Sequence, residues 1–221
     1  MYIIMLGGPG SGKGSVGGRI SEDFNLPHIA TGDIFRAELK NETDLGKKIK
    51  KYMDNGLLVP DEVVIEIVEN RLSQKDTENG AILDGFPRTK DQAIALDKFL
   101  SERGKKVDAA IELDVSDEDI VKRIIKRIVC SNKDCGESFN TEFKPPKVEG
   151  ICDKCGSKLI KRADDNEETV MQRLKVYHET SKELLEYYKQ TGALFTIHPN
   201  IYSKTVLEDN VFEAKEYLKN K

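Results

Sequence analysis

The chain has 221 residues, 33% of them charged, with a net charge of only −4, four cysteines and no tryptophan. That length supports one substantial core with small inserted lobes, and the near balance of charge leaves no field to attract nucleic acid or an anionic membrane surface. No run approaches the roughly 18 apolar residues of a bilayer span and the N-terminus lacks a basic leader with a cleavage site, so the expectation is a monomer in the cytoplasm that engages neither nucleic acid nor membrane.

Tyr2-Ile3-Ile4-Met5-Leu6 reads as a short buried strand that runs straight into Gly7-Gly8-Pro9-Gly10-Ser11-Gly12-Lys13-Gly14-Ser15. Glycines let a backbone turn so sharply that successive N–H groups face one concavity, and a helix beginning there adds its positive end. The stretch matches Gly-x-x-x-x-Gly-Lys. Lys13 reaches outer phosphates in such a loop, and the hydroxyl that ligates Mg²⁺ comes one place late, at Ser15, because Gly14 follows the lysine. Strand, loop and lysine in this order indicate a bound nucleotide rather than a bare turn.

Residues 16–24 then read as a helix and 27–30 as a short extended segment. Thr31-Gly32-Asp33 opens another helix, with Thr31 or Asp33 available to cap it. Helical stretches over 34–39, 45–55 and 61–72, broken by 41–44, Gly56 and Pro60, make a small helical lobe. Residues 80–87 form a buried strand ending in a sharp polar turn. The stretch 89–103 is amphipathic, with Ala93, Leu96, Phe99 and Leu100 on one side. Another strand spans 107–115, and Ser116 caps a helix running to about Arg127.

Composition changes at Cys130. From there to about 164 the chain is short-patterned, polar and turn-rich, and it holds all four cysteines. Helical periodicity returns over 167–190, with a core stripe of Leu174, Tyr177, Leu184, Leu185 and Tyr188; a strand at 192–197 and a helix at 206–219 close the chain. Strands alternating with helices predict an α/β fold, a parallel sheet covered on both faces.

Cys130-x4-Cys135 and Cys152-x2-Cys155 are separated by sixteen residues. Two such pairs present four thiolates tetrahedrally, the structural geometry of Zn²⁺, and a segment this short and polar needs a metal to order it. Two disulfides and reduced buried thiols are the alternatives; a cytosolic setting disfavours the first and so polar a loop the second.

Asp84 ends an apolar strand, where nucleotide-binding sheets place the carboxylate that holds Mg²⁺ or its waters. Arg36, Arg88, Arg123, Arg127, Arg162 and Arg173 come from distant stretches. Transfer of a phosphoryl group between two nucleotides is mainly a matter of clamping oxygens with such bidentate cations. His28, His178 and His198 read as packing or surface residues. Asn132-Lys133-Asp134 is not a guanine-reading signature, because Cys135 stands where its aspartate belongs. Lys158, Lys161 and Arg162 beside the cysteines suggest a nucleic-acid ribbon only superficially, given Asp164, Asp165, Glu167 and Glu168 next to them.

Five segments together, residues 7–14, Thr-Gly-Asp-Ile-Phe-Arg (31–36), Leu-Val-Pro-Asp-Glu (58–62), Leu-Asp-Gly-Phe-Pro-Arg-Thr (83–89) and Asp-Asp-Asn-Glu-Glu-Thr (164–169), closely resemble the adenylate kinases, in the long form with a zinc-bearing lid. The resemblance implies a P-loop NTPase-like core (1–30, 60–126 and 164–221), a helical AMP-binding lobe (31–59) and a lid (127–163). It implies Mg²⁺-dependent conversion of ATP and AMP to two ADP, with Zn²⁺ structural in the lid. Gly10, Ser11, Gly12, Lys13, Gly14 and Ser15 would bind ATP phosphates, with Arg127 gripping them and Arg123 near the base; Ser138, Phe139 and Asn200 would also contact ATP. Thr31, Arg36, Leu57, Leu58, Val59, Gly85, Phe86, Pro87, Arg88 and Gln92 would bind AMP. Arg162 and Arg173 would bridge the AMP phosphate and the transferred group. Lys13, Asp84, Arg88, Arg127, Arg162 and Arg173 would carry catalysis, and Asp164 with Asp165 would steady the closed lid.

The chain departs from the family pattern at several places. Ser15-Val16 replaces a usual Thr-Gln and keeps the hydroxyl. Ala30 replaces a frequent serine, and Ile128 the second arginine of a pair. The first cysteine pair carries two extra residues, and His198-Pro199-Asn200 stands for a usual Asp-Gly. Kinases for UMP or CMP resemble the same core but usually carry a short lid.

Overall fold

The computed structural model describes residues 1–132, 135–203 and 205–221; Lys133 and Asp134, two of the Asn-Lys-Asp triplet, lie outside the described residues. In chain order the elements are β1 (Tyr2–Gly7), α1 (Lys13–Phe24), β2 (His28–Ala30), α2 (Thr31–Lys40), α3 (Asp44–Asp54), α4 (Asp61–Leu72), β3 (Ala81–Asp84) and α5 (Lys90–Ser101). They continue with β4 (Val107–Leu113), α6 (Asp117–Ile125), β5 (Arg127–Cys130), β6 (Ser138–Asn140), β7 (Leu159–Ile160), α7 (Glu167–Gln190), β8 (Leu194–Ile197) and α8 (Val206–Leu218).

Among the described residues two sheets form. The larger has the order β2-β3-β1-β4-β8, and every neighbouring pair is parallel. Parallel strands need crossovers, which place helices on both faces and demand strands apolar on both sides. Ile3, Ile4, Ile82 and Leu83 are accordingly fully buried. The pleat divides them. Ile3, Met5 and Ile82 pack with Val16, Ile20, Val211 and Ala214 of α1 and α8. Ile4, Leu6 and Leu83 face Val64, Val68, Leu96, Leu100, Leu184 and Tyr188 of α4, α5 and α7. Of the stripe expected on α7, Leu174, Leu184 and Tyr188 are buried.

The chain leaves β1 toward β2 on one side and later reaches β4 on the other, so the switch point lies at the carboxyl ends of β1, β3 and β4, where ligands bind in open α/β sheets. The second sheet, β6-β5-β7, is antiparallel and holds the cysteines at its end.

Three local expectations change. The α6 helix stops at Ile125, and Arg127 opens β5, where Ile128 and Val129 pair with Phe139 and Ser138. These β-branched residues take the strand that long-range pairing offers. Thr31 does not cap α2, because its hydroxyl donates to the Gly85 carbonyl at 2.9 Å, and Asp33 instead accepts from Arg36 at 2.6 Å. The α1 helix begins at Lys13, earlier than periodicity shows, since Gly14, Gly17 and Gly18 blur its pattern. Ser116 does cap α6, accepting from the Asp119 amide at 3.3 Å.

Candidate active site and cysteine cluster

The loop between β1 and α1 winds through Gly7, Gly10 and Gly12, at φ 133°, 79° and 104°, a region that L side chains rarely enter. A β-carbon on Gly10 would stand 2.5 Å from Ile124, and one on Gly8 would stand 2.6 Å from Ile120, so α6 lies directly against the loop. Lys13 folds back and donates to the Gly8 carbonyl at 3.0 Å. Arg123, from α6, donates to the Ser11 carbonyl at 3.2 Å; desolvation lowers its pKa, partly offset by Asp119. Ser15 is exposed at the first turn of α1. Asp84, at the end of β3, brings Oδ2 so close to this turn that a β-carbon on Gly14 would be 3.0 Å away.

Beyond Asp84 the polar turn is fixed by its own network. Gly85 has φ 76°, and its carbonyl accepts from Thr31 Oγ1 at 2.9 Å and from Arg88 Nε at 2.8 Å. The Phe86–Pro87 peptide is cis, and both residues are buried. Gln92 accepts from the Arg88 amide at 2.8 Å and donates to Asp61 at 2.7 Å. Next to this turn lies a pocket lined by Phe35, Met53, Leu57, Leu58, Val59, Val64, Gly85, Arg88 and Gln92. Leu57 follows Gly56, whose φ of 66° ends α3 with Leu57 N–H donating to Tyr52 at 2.8 Å. Sequence reasoning missed Phe35, Met53 and Val64; the helical periodicity of α2, α3 and α4 marks them only as apolar face. A wider groove of about 480 Å³ between α1 and α8, lined by Arg19, Asp23, Val211, Phe212 and Lys215 among others, lies outside this constellation.

Cations converge on the rim. Arg127 of β5 forms two hydrogen bonds to the buried Asp165, 2.8 Å from Nε and 2.5 Å from Nη2. Arg173 of α7 pairs with Asp164. Arg162 lies 3.7 Å from Asp33, which also holds Arg36, so the segment that leaves β7 approaches α2. Lys13, half-buried at the cleft floor, has its pKa pushed down to about 8 by desolvation, with Arg88, Arg127 and Arg173 adding repulsion and Asp84 opposing it. Arg88 is exposed at the rim, and desolvation again lowers its pKa, opposed by Asp84 and reinforced by Arg173 and Arg36. Arg162 falls to about 10 for the same reason, with Arg36 and Arg127 next to it. Positive charge held together without enough counter-charge is a site for a polyanion.

Two residues expected on the ATP side offer less. The Phe139 ring is buried with Cys130, Cys152 and Leu159 inside the small sheet, and Ser138 beside it is half-buried. Asn200 accepts from the Tyr202 amide at 3.3 Å and closes a local turn after β8, while Tyr202 reaches Asp119 at 3.4 Å.

Cys130, Cys135, Cys152 and Cys155 place all four Sγ atoms within 4.8 Å of one another. Cys130 to Cys155 is 3.4 Å and Cys135 to Cys152 is 3.7 Å. These exceed the ~2.05 Å of a disulfide and are near the ~3.8 Å edge of a tetrahedron with Zn–S bonds of about 2.3 Å. The Cys152 amide donates to Ser157 and the Gly156 amide to Cys152, each at 2.8 Å, closing the second pair into a tight turn. The donor set fits a metal with no position left open.

Comparison with known proteins agrees with this geometry. The family profile of adenylate kinases (ADK) matches residues 5–193. The chain is 55% identical over 196 residues to an adenylate kinase of Caldicellulosiruptor saccharolyticus, covering 89% of this chain and 90% of that one. It is 52% identical over 198 residues to that of Acetivibrio thermocellus, covering 90% of each. It is also 52% identical over 214 residues to that of Agathobacter rectalis, covering 97% of each. With the matched span enclosing the glycine loop, the arginine-lined cleft and the cysteine cluster, the chain belongs to the adenylate kinase family.

Proposed function

We propose that this chain transfers the terminal phosphoryl group of Mg²⁺·ATP to AMP, giving two ADP. The observation that carries the reading is the convergence of Lys13, Arg36, Arg88, Arg127, Arg162 and Arg173 on one cleft between the glycine loop and a separate pocket under α2 and α3. On the donor side the N–H groups from Gly10 to Ser15 and Lys13 bind the ATP phosphates. Arg127 clamps them, Arg123 flanks the base with Asn200 nearby, and Ser138 and Phe139 contribute through the backbone. On the acceptor side Thr31, Arg36, Leu57, Leu58, Val59, Gly85, Phe86, Pro87, Arg88 and Gln92 hold AMP. Arg162 and Arg173 lie between the two.

The AMP phosphate attacks in line and no protein nucleophile is needed; positioning and charge stabilisation do the work. Mg²⁺, when bound, neutralises charge on the phosphates. The closeness of Asp84 to the first turn of α1, together with the Ser15 hydroxyl, fits a site for that ion. Lys13 is pre-set to become fully charged as phosphate arrives, and Arg88 reaches toward the acceptor. Segments 31–59 and 127–163 act as closing lobes on the core formed by 1–30, 60–126 and 164–221, with Arg162–Asp33 as one contact between them. The cysteine cluster holds Zn²⁺ and orders segment 127–163. Unpaired thiols gathered in one cluster support a reducing, cytoplasmic setting, and we read the active unit as a monomer, which gel filtration checks. Among the described residues no helix is long and apolar enough to cross a membrane.

A coupled assay with Mg²⁺·ATP against AMP, UMP, CMP and GMP in turn tests the reading. AMP as the preferred acceptor supports it; preference for a pyrimidine nucleotide overturns it.

A further inference from the structure

His28 stands at the start of β2, in register with Ile82 and two residues before the partner of Asp84, so His28 and Asp84 project from the same face of the sheet toward α1. Two glycines of α1 make room for them. A β-carbon on Gly14 would stand 3.0 Å from Asp84 Oδ2, and one on Gly17 would stand 3.1 Å from His28 Nε2. Gly17, in the interior of α1, is destabilising relative to alanine, and it leaves the space that the His28 ring occupies. His28 Nε2 is buried without a hydrogen-bond partner. The nearest acidic oxygen it faces is Asp84 Oδ2, at 3.8 Å. A buried ring nitrogen left unsatisfied within one small adjustment of a carboxylate is a donor waiting for that carboxylate to settle.

We infer that His28 is a positioning residue: its Nε2–H holds the Asp84 carboxylate in the orientation that faces the metal-bound nucleotide at the first turn of α1. The inference rests on the phosphotransfer reading above and deepens it, since Asp84 is the carboxylate assigned there to Mg²⁺. Partners of this kind that orient a metal-facing group typically change metal affinity tenfold or more when removed.

The test is calorimetric titration of the full, zinc-loaded chain with ATP, in buffer containing Mg²⁺ and again with no Mg²⁺ added. His28→Leu is expected to weaken binding of Mg²⁺·ATP about tenfold while leaving metal-free ATP binding unchanged. His28→Gln, whose amide nitrogen reaches the same place, is expected to restore the Mg²⁺-dependent increment. Equal weakening of both forms of ATP in His28→Leu, or failure of His28→Gln to restore the increment while it melts like the parent, overturns the inference. The parent protein separates the two readings: if it binds neither form of ATP, the phosphotransfer reading fails as well, whereas normal parent binding with an unaltered His28→Leu sinks the positioning role alone.

Discussion

Arg88 shows how one side chain is held in place for the proposed phosphoryl transfer. Its Nε donates to the Gly85 carbonyl and its backbone N–H to Gln92, which is itself tied to Asp61, so main chain and guanidinium are each anchored by one bond and Arg88 lines the pocket. A fixed donor aimed at developing charge is worth far more than a mobile one. Arg88→Ala is therefore expected to lower turnover at least about 100-fold, with the melting temperature little changed; a near-normal rate in a steady-state assay refutes the role. Lys13 gives a pH signature. Its folded pKa of about 8 lies below the ordinary lysine value of 10.5, so between these values the folded, unliganded protein holds fewer protons than the unfolded chain, and this residue's contribution to stability grows as pH rises through that window. Phosphate reverses the balance by favouring charged Lys13. ATP binding measured calorimetrically near pH 8.5, in buffers of different ionisation enthalpy, is expected to take up a fraction of a proton; Lys13→Met should abolish that uptake, and uptake unchanged in the variant contradicts the assignment.

At the scale of elements, the contact between α5 and α7 carries a conflict. Asp97 accepts from Tyr187 at 2.7 Å, but its other oxygen is buried without a partner, as is the Tyr188 hydroxyl. Burial raises the Asp97 pKa, against the Tyr187 hydrogen bond. The folded state thus holds the proton more tightly than the unfolded chain, and stability falls as pH rises from the ordinary carboxylate range through the raised value. Asp97→Asn keeps an acceptor for Tyr187, supplies a donor, and is expected to melt a few degrees higher at neutral pH and with less pH dependence; a lower melting temperature rejects this account. In the antiparallel sheet the cysteines take the place of a core, since Phe139, Leu159, Cys130 and Cys152 are its buried apolar members. Cys152→Ser is expected to lose the bound metal, seen by elemental analysis, and to lower the first melting transition; full metal content with unchanged melting contradicts a structural metal. The strands of the main sheet were legible because β1 and β3 are unbroken apolar runs, and the glycine loop because its backbone demands are local. Arg127 was read as the end of a helix because its strand exists only through pairing with a segment thirteen residues on. Thr31 was read as a cap because its true partner, Gly85, is 54 residues away. Motif resemblance named Leu57, Leu58, Val59, Gly85, Arg88 and Gln92 of the pocket, whereas Phe35, Met53 and Val64 became pocket lining only once three helices were packed together.

For the whole molecule, the parts are arranged around a single electrostatic problem. A parallel sheet brings the ends of β1 and β3 together, α6 and α7 supply arginines, and the two inserted segments contribute Arg36 and Arg162 from opposite sides. In the proposed function, nucleotide phosphates relieve the repulsion among these cations and so favour closure of the two segments over the substrates, which would also keep water from competing with AMP as acceptor. The most direct check is a ³¹P NMR time course of the purified, zinc-loaded chain with Mg²⁺·ATP, recorded with and without AMP. With AMP present, ATP and AMP should decline together as ADP grows, without inorganic phosphate; with AMP omitted, ATP should persist. Inorganic phosphate released from ATP alone, at a rate comparable to ADP formation, would contradict the account.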